Sequence, residues 1–245
     1  MLMPLCARLV ACCATFAASG LSVHAGADDP VVVELFTSQG CSSCPPADAL
    51  LVELAAREDV IALSYHVDYW DYLGWKDTFG SRENSQRQRS YAPVVDRSHI
   101  EGRKLRGSFT PEIVVGGMDS LVGSDREDVL ARVAFHAEQP DAADVDISRD
   151  GETLVVSMAP VEGMPGATVN VRVVEYLPMA EVEIPRGENA GKMIAYANIV
   201  RGLRDVGRWD GASPAEIRLT DVTPPLAVLL QRGTAGKIIA AAATE

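Results

Sequence analysis

Val31 to Phe36 reads Val-Val-Val-Glu-Leu-Phe, a β-branched and aromatic run broken by one charge. That is the pattern of a strand covered on both faces. Thr37-Ser38-Gln39-Gly40 interrupts it as a turn, and from Ala47 the period changes. Ala47, Leu50, Leu51, Leu54 and Ala55 recur at i, i+3, i+4, i+7 and i+8, one apolar stripe of a helix ending near Arg57. Val60 to Val67 returns to strand character, so the chain opens as a strand–turn–helix–strand unit with a parallel pair. Ser81 to Tyr91 is polar and rich in Arg and Gln; it reads as a solvated helix with Arg82, Arg87 and Arg89 on its wet face. Glu112 to Val115 is a short strand closed by Gly116-Gly117, with Ser120-Leu121-Val122 as its hairpin partner. Ser124 and Glu127 have the spacing of a capping box ahead of a helix carrying Val129, Leu130, Val133, Ala134 and Ala137.

After Gln139 the texture changes. Residues 140–144 are rich in Pro, Ala and Asp and read as a linker. Beyond them period-2 alternation takes over in Val145/Ile147, Leu154 to Met158 and Val169/Val171/Val173, with Asp150-Gly151 as a tight-hairpin signal. Ala227 to Leu230 and Ile238 to Ala242 flank Gly233 to Gly236 as a last hairpin. The expected organisation is an α/β domain over residues 28–139 and a small all-β, sandwich-like domain over 145–245.

Residues 1–27 stand apart. Arg8 precedes a largely apolar stretch, Leu9 to Ala18, followed by small residues and Ala25-Gly26-Ala27, the layout of a removable secretory signal peptide. The apolar run is too short to span a bilayer, which takes about 20 residues. No membrane span is expected, and the mature chain is expected to be periplasmic or secreted. Leu9-Val10-Ala11-Cys12 resembles a lipoprotein box but leaves almost no apolar segment before the cut, so a lipid anchor is set aside. Removing the leader takes Cys6, Cys12 and Cys13 with it, leaving Cys41 and Cys44 as an isolated even pair in an oxidising compartment. The net charge of −12 argues against a nucleic-acid partner.

Gly40-Cys41-Ser42-Ser43-Cys44-Pro45-Pro46 falls between strand and helix, with the helix expected to start at Ser43 or Cys44. A thiolate there gains from the positive helix end and from free backbone N–H groups, which lowers its pKa. Cys41, nearer the exposed edge, is assigned as the attacking thiol and Cys44 as the resolving thiol. The electrons reside in the dithiol, so neither an organic cofactor nor a metal is expected. Two other readings stay open: a static disulfide stiffening a binding module, and a copper-handling site combining both thiolates with one of His66, His99 or His136. His66 and Asp68, at the end of the second strand, are candidates for tuning the thiol or are simply hydrogen-bonded there. Tyr65, Tyr69, Trp70, Tyr72, Trp75 and Phe79 concentrate aromatics after that strand. They could roof the cysteines, with Trp70 and Trp75 contacting substrate, or pack as a cap.

The segments 34–48, 65–77 (Tyr-His-Val-Asp-Tyr-Trp-Asp-Tyr-Leu-Gly-Trp-Lys-Asp) and 109–117 (Phe-Thr-Pro-Glu-Ile-Val-Val-Gly-Gly) carry a resemblance. From Val31 to Gln139 the chain resembles the thioredoxin-like superfamily, and over the mature chain it is similar to the exported family DUF1223. Glu188, Asn189, Gly191, Asn198 and Arg201 also match that family's pattern. The thioredoxin resemblance implies a cis-proline at Thr110-Pro111 opposite the cysteines, with Thr110 offering its backbone to an extended peptide. Two features depart from it: Gly40 stands where an aromatic residue often precedes the first cysteine, and the Cys-Pro-Pro continuation is unusual. The expectation is an exported thiol–disulfide oxidoreductase whose partners are protein or small-molecule thiols and disulfides.

Overall fold

The computed structural model describes residues 30–98, 100, 107–139, 141–161 and 168–244. The expected leader, Cys6, Cys12, Cys13, His99 and Pro140 lie outside them. Strand β1 (Val31–Thr37), helix α1 (Pro45–Ala55) and strand β2 (Val60–His66) form the expected opening unit. The strands are parallel from Val31↔Val60 to Thr37↔His66. β3 (Glu112–Val115) runs antiparallel on the other side of β1, followed by β4 (Asp119–Val122) and helix α3 (Arg126–Ala137). Val31, Val33 and Leu35 point to one face, where they pack with Leu50, Leu51 and Leu54 of α1 and Val129 and Val133 of α3. The capping box at Ser124 is not made: Asp125 is the N-cap and no side chain caps the helix.

The second half differs from the expected free-standing sandwich. β7 (Val169–Glu183), β8 (Met193–Trp209), β10 (Leu226–Arg232) and β11 (Ile238–Ala243) join the same sheet, giving eight strands in the order β11-β10-β7-β8-β2-β1-β3-β4. β5 (Ala143–Asp150), β6 (Thr153–Pro160) and β9 (Ala215–Leu219) form a separate three-stranded sheet. That small sheet does pack face to face on the large one, through Leu154, Val156 and Met158 against Val171, Val173 and Val228. The molecule is therefore a mixed α/β structure with one large mixed sheet and one small sheet. β10 shows why: Leu226 to Gln231 is buried throughout, which a sandwich strand with one wet face would not be.

The halves share one core, in which Val32, Phe36 and Tyr65 pack with Val174, Val200 and Leu229. β8 meets β2 in parallel at Ser64↔Ile199, and Asn198, in the left-handed region (φ 46°), donates its side-chain amide to the Ala62 carbonyl at 2.9 Å. The far end curls back, so that the Ile238 N–H bonds the Gly116 carbonyl and the Ala142 N–H bonds the Ile239 carbonyl, at 2.9 and 3.2 Å. The expected linker over 140–144 is thus pinned at Ala142, and its last two residues already belong to β5. Among the described residues no helix is long and apolar enough to cross a membrane.

Helix α2 (Arg82–Tyr91) corrects the expectation of a solvated helix. Arg82 and Arg89 are exposed, but Asn84, Ser85, Arg87, Gln88 and Tyr91 are buried against the sheet face opposite α1. Two buried carboxylates receive them. Glu34 on β1 accepts from Arg87 Nε at 2.6 Å and from the Tyr91 hydroxyl. Glu112 on β3 accepts from Gln88 at 2.7 Å, Arg97 at 2.7 Å and Ser120 at 2.6 Å. Buried charge is tolerated when paired and hydrogen-bonded in this way.

Candidate functional site

Cys41 and Cys44 are joined by a disulfide with Cα atoms 5.4 Å apart, between the end of β1 and the start of α1. Cys44 is the N-cap, and Pro45 and Pro46 take the first helical positions, just after the expected start at Ser43 or Cys44. The prolines carry no N–H, and the amides of Ala47 and Asp48 bond back to the Cys44 carbonyl at 2.8 and 3.1 Å. The helix end therefore offers its dipole, but not the set of free donors expected from the sequence.

The expectation that Cys41 faces solvent is not met. Cys41 is 1% exposed and Cys44 0%, although Ser42 and Ser43 between them are exposed. The cysteine loop is held from about 150 residues along the chain, by the connection between β7 and β8. Asn189 donates its side-chain amide to the carbonyls of Gln39 and Cys41 at 3.0 and 2.8 Å. Glu188 accepts the Ser42 N–H at 3.3 Å, and Lys192 Nζ holds the Asn189 oxygen at 2.8 Å. Gly187, at φ 81°, brings its backbone against Trp75, where a Cβ would sit 3.3 Å from the Trp75 Cβ.

The aromatic loop closes another side. Trp70 lies against Gly40, where a Cβ would come 3.2 Å from the Trp70 Cβ, and its Nε1 donates to Thr110 Oγ1 at 2.7 Å. Glycine before Cys41 thus leaves room for an aromatic residue supplied from elsewhere. The Thr110–Pro111 peptide is cis, and Pro111 and Ala47 flank the same glycine, Gly123, placing the proline beside the first turn of α1. Trp75 Nε1 donates to Gln39 Oε1 at 2.8 Å, tying the loop to the turn before the cysteines. Tyr65 is packed inside, whereas Tyr72 is exposed.

Below the disulfide lies a buried titratable cluster that sequence reasoning saw only in part. His66 faces Thr37 in register and pairs through Nδ1 with Asp77 at 2.8 Å; its ring packs on Phe79 and Tyr196. Burial pushes the Asp77 carboxyl up, but His66 and the N–H groups of Gln39 and Phe79 outweigh it and hold the carboxyl below its ordinary value. Asp48, one helical turn beyond Cys44, accepts from Thr37 Oγ1 at 2.7 Å. Burial raises its pKa to about 7, against the lowering effects of Thr37 and His66. Asp48 Oδ2, His66 Nε2 and the Tyr196 hydroxyl are buried with no hydrogen-bond partner among the described residues. The clue to Asp48 was its spacing, since i+4 from Cys44 returns to the same helix face. Asp68, the other candidate tuner, faces away to α2, accepting from Ser85 Oγ at 2.5 Å.

Among the described residues, which leave out His99, the copper-site combination is not assembled. His136 bonds Asp119 at 2.6 Å and lines a cavity with Val31, at the opposite end of β1 from the cysteines. Among the described residues no group of three or more His, Cys, Asp or Glu is placed to hold a metal ion.

No curated protein matches the chain. A crystal structure of an Agrobacterium tumefaciens protein is similar, with 34% identity, TM-score 0.72, and 87% of this chain and 92% of that one covered. HBP35 of Porphyromonas gingivalis shares the fold at 12% identity and TM-score 0.57, with 89% and 75% covered. Residues 32–230 match the family described as proteins of unknown function, DUF1223. A motif set and a disulfide lying within one continuous match lead to one assignment: the chain belongs to the DUF1223 family.

Proposed function

We propose that this protein is an exported thiol–disulfide oxidoreductase acting on protein or small-molecule thiols and disulfides. The observation that carries the reading is the Cys41–Cys44 disulfide between a central strand and the helix that follows it. The strand order β2-β1-β3-β4 and the cis Thr110–Pro111 peptide beside α1 support a thioredoxin-like unit over residues 28–139, with residues 145–245 as the β-rich unit joined to it.

In the reduced protein the Cys41 thiolate attacks a substrate disulfide, forming a mixed disulfide while one substrate sulfur leaves as thiolate. Cys44 then loses its proton and attacks Cys41, releasing the second substrate thiolate and restoring the Cys41–Cys44 bond. Two electrons pass to the substrate; run backwards, the same steps oxidise a dithiol. Asp48, with a pKa near 7, is matched to accept the Cys44 proton at neutral pH. Thr110, Pro111, Trp70 and Trp75 frame the substrate side, and His66 acts on the cluster through Asp77 rather than by touching substrate.

The test is the reduction potential of the pair together with trapping by Cys44→Ser. A value between about −270 and −120 mV suits a catalytic pair. Cys44→Ser is then expected to accumulate mixed disulfides through Cys41. The burial of both sulfurs favours a second reading, a binding module with a structural disulfide. It requires a potential below about −300 mV and full function in the Cys41→Ser/Cys44→Ser double variant.

A further inference from the structure

We propose that residues 184–192 are a cover over the disulfide, pinned by Asn189, which must lift before a thiol reaches Cys41. This rests on the oxidoreductase reading above, and gives the β-rich half a role in it. The cover has a firm base and a light tip. At the base, Ile184 is packed with Ile194, Tyr196, Trp75 and Phe79. The neck is closed by hydrogen bonds from the Ile184 N–H to the Lys192 carbonyl at 2.9 Å and from the Gly191 N–H to the Ile184 carbonyl at 2.7 Å. Between them, Pro185 to Glu188, Ala190 and Gly191 are exposed, so Asn189 is the one buried side chain at the tip. The tip is held to the cysteine loop by polar contacts, with no apolar side chain inserted there. Segments held in that way open locally at low cost, well before the fold does. Gly187 and Gly191, both at φ 81°, supply backbone conformations that other residues would resist.

The cover also indicates what replaces it. It occupies the carbonyls of Gln39 and Cys41 with N–H donors, and the Ser42 N–H with a carboxylate. A partner displacing Glu188 and Asn189 satisfies those backbone groups only if it offers N–H donors and an acceptor beside its own sulfur. An extended peptide carrying a cysteine does so; a simple alkyl thiol does not.

The experiment compares the oxidised mature wild type and Asn189→Ala during reduction by dithiothreitol, quenched with acid and scored by alkylation. Losing two hydrogen bonds that hold the closed state should raise the second-order rate constant roughly tenfold, with the melting temperature little changed. Lys192→Ala, which frees the Asn189 oxygen, should shift the rate in the same direction by less and covers the case in which Asn189→Ala folds poorly. A glycine-flanked cysteine peptide should reduce the wild type faster than mercaptoethanol when each is compared at equal thiolate concentration. Equal rates for wild type and both variants overturn the cover. The equilibrium potential, measured separately, decides the oxidoreductase reading: a catalytic potential with equal rates removes the cover alone, whereas faster variants with a structural potential remove the enzyme alone.

Discussion

Arg87→Met is expected to destabilise the fold by about 3–5 kcal/mol, because it strands the Glu34 carboxylate inside the protein. The guanidinium donates to Glu34 at 2.6 Å and to the Tyr91 hydroxyl at 3.0 Å, and lies over the Tyr65 and Tyr91 rings. Burial lowers the Arg87 pKa, but Glu34 outweighs that and keeps it charged. For a chain of this size the loss corresponds to a melting-temperature drop on the order of 10 °C. The companion variant Glu34→Gln/Arg87→Met removes both charges, leaves neither unpaired, and should recover at least half of the loss. Urea denaturation of the two variants checks this. A single-variant loss under about 1 kcal/mol would place Glu34 in contact with water and refute the buried pair.

The second large effect is a pH dependence that Asp48→Asn should abolish. Burial pushes the Asp48 carboxyl up to about 7 in the fold, from its ordinary 3.8. Below pH 3.8 folded and unfolded chains both carry the proton, and the contribution of the neutral acid is fully present. As pH rises through 7 the unfolded chain has already released the proton and the folded one must release it in a buried site, so stability is lost over that window. Three pKa units correspond to about 4 kcal/mol. Asparagine keeps an oxygen for Thr37 and cannot ionise, so its stability should fall far less between pH 4.5 and 8. Denaturation curves that fall in parallel for wild type and Asp48→Asn would rule the assignment out. In the reduced protein, resolution by Cys44 should accelerate through pH 7 in the wild type and lose that inflection in the variant.

Much of the first half was legible because its signals are local and apolar. Val31 to Phe36 and the stripe from Ala47 to Ala55 lead to β1 and α1 almost residue for residue. α2 escaped because a buried face made of Arg87, Gln88 and Asn84 has the same composition as a wet one; its acceptors, Glu34 and Glu112, sit on strands that periodicity treats separately. β8 escaped for another reason: Met193 to Trp209 carries Gly202, Gly207 and two register shifts against β7, which interrupt any period of two. The disulfide itself was readable in the spacing of Cys41 and Cys44, but its burial was not. Asn189, which holds the Cys41 carbonyl, stood out only as part of a family pattern, and no local periodicity ties a residue about 150 positions away to the cysteines. The break in composition at 140–144 was visible too, while the hydrogen bonds that carry one sheet across it join residues far apart in sequence.

The bond from the Ile238 N–H to the Gly116 carbonyl brings the start of β11 to the residue that follows β3, from the middle of the chain. A polypeptide delivered one residue at a time, from a ribosome or through a membrane pore, cannot make that contact until β10 and β11 emerge. Until then the hydrophobic underside of β1 and β3 waits for Leu229 and Ile238, with loop-closure entropy paid across about half of the chain. Docking of the final two strands is thus the natural slow, late event in its maturation.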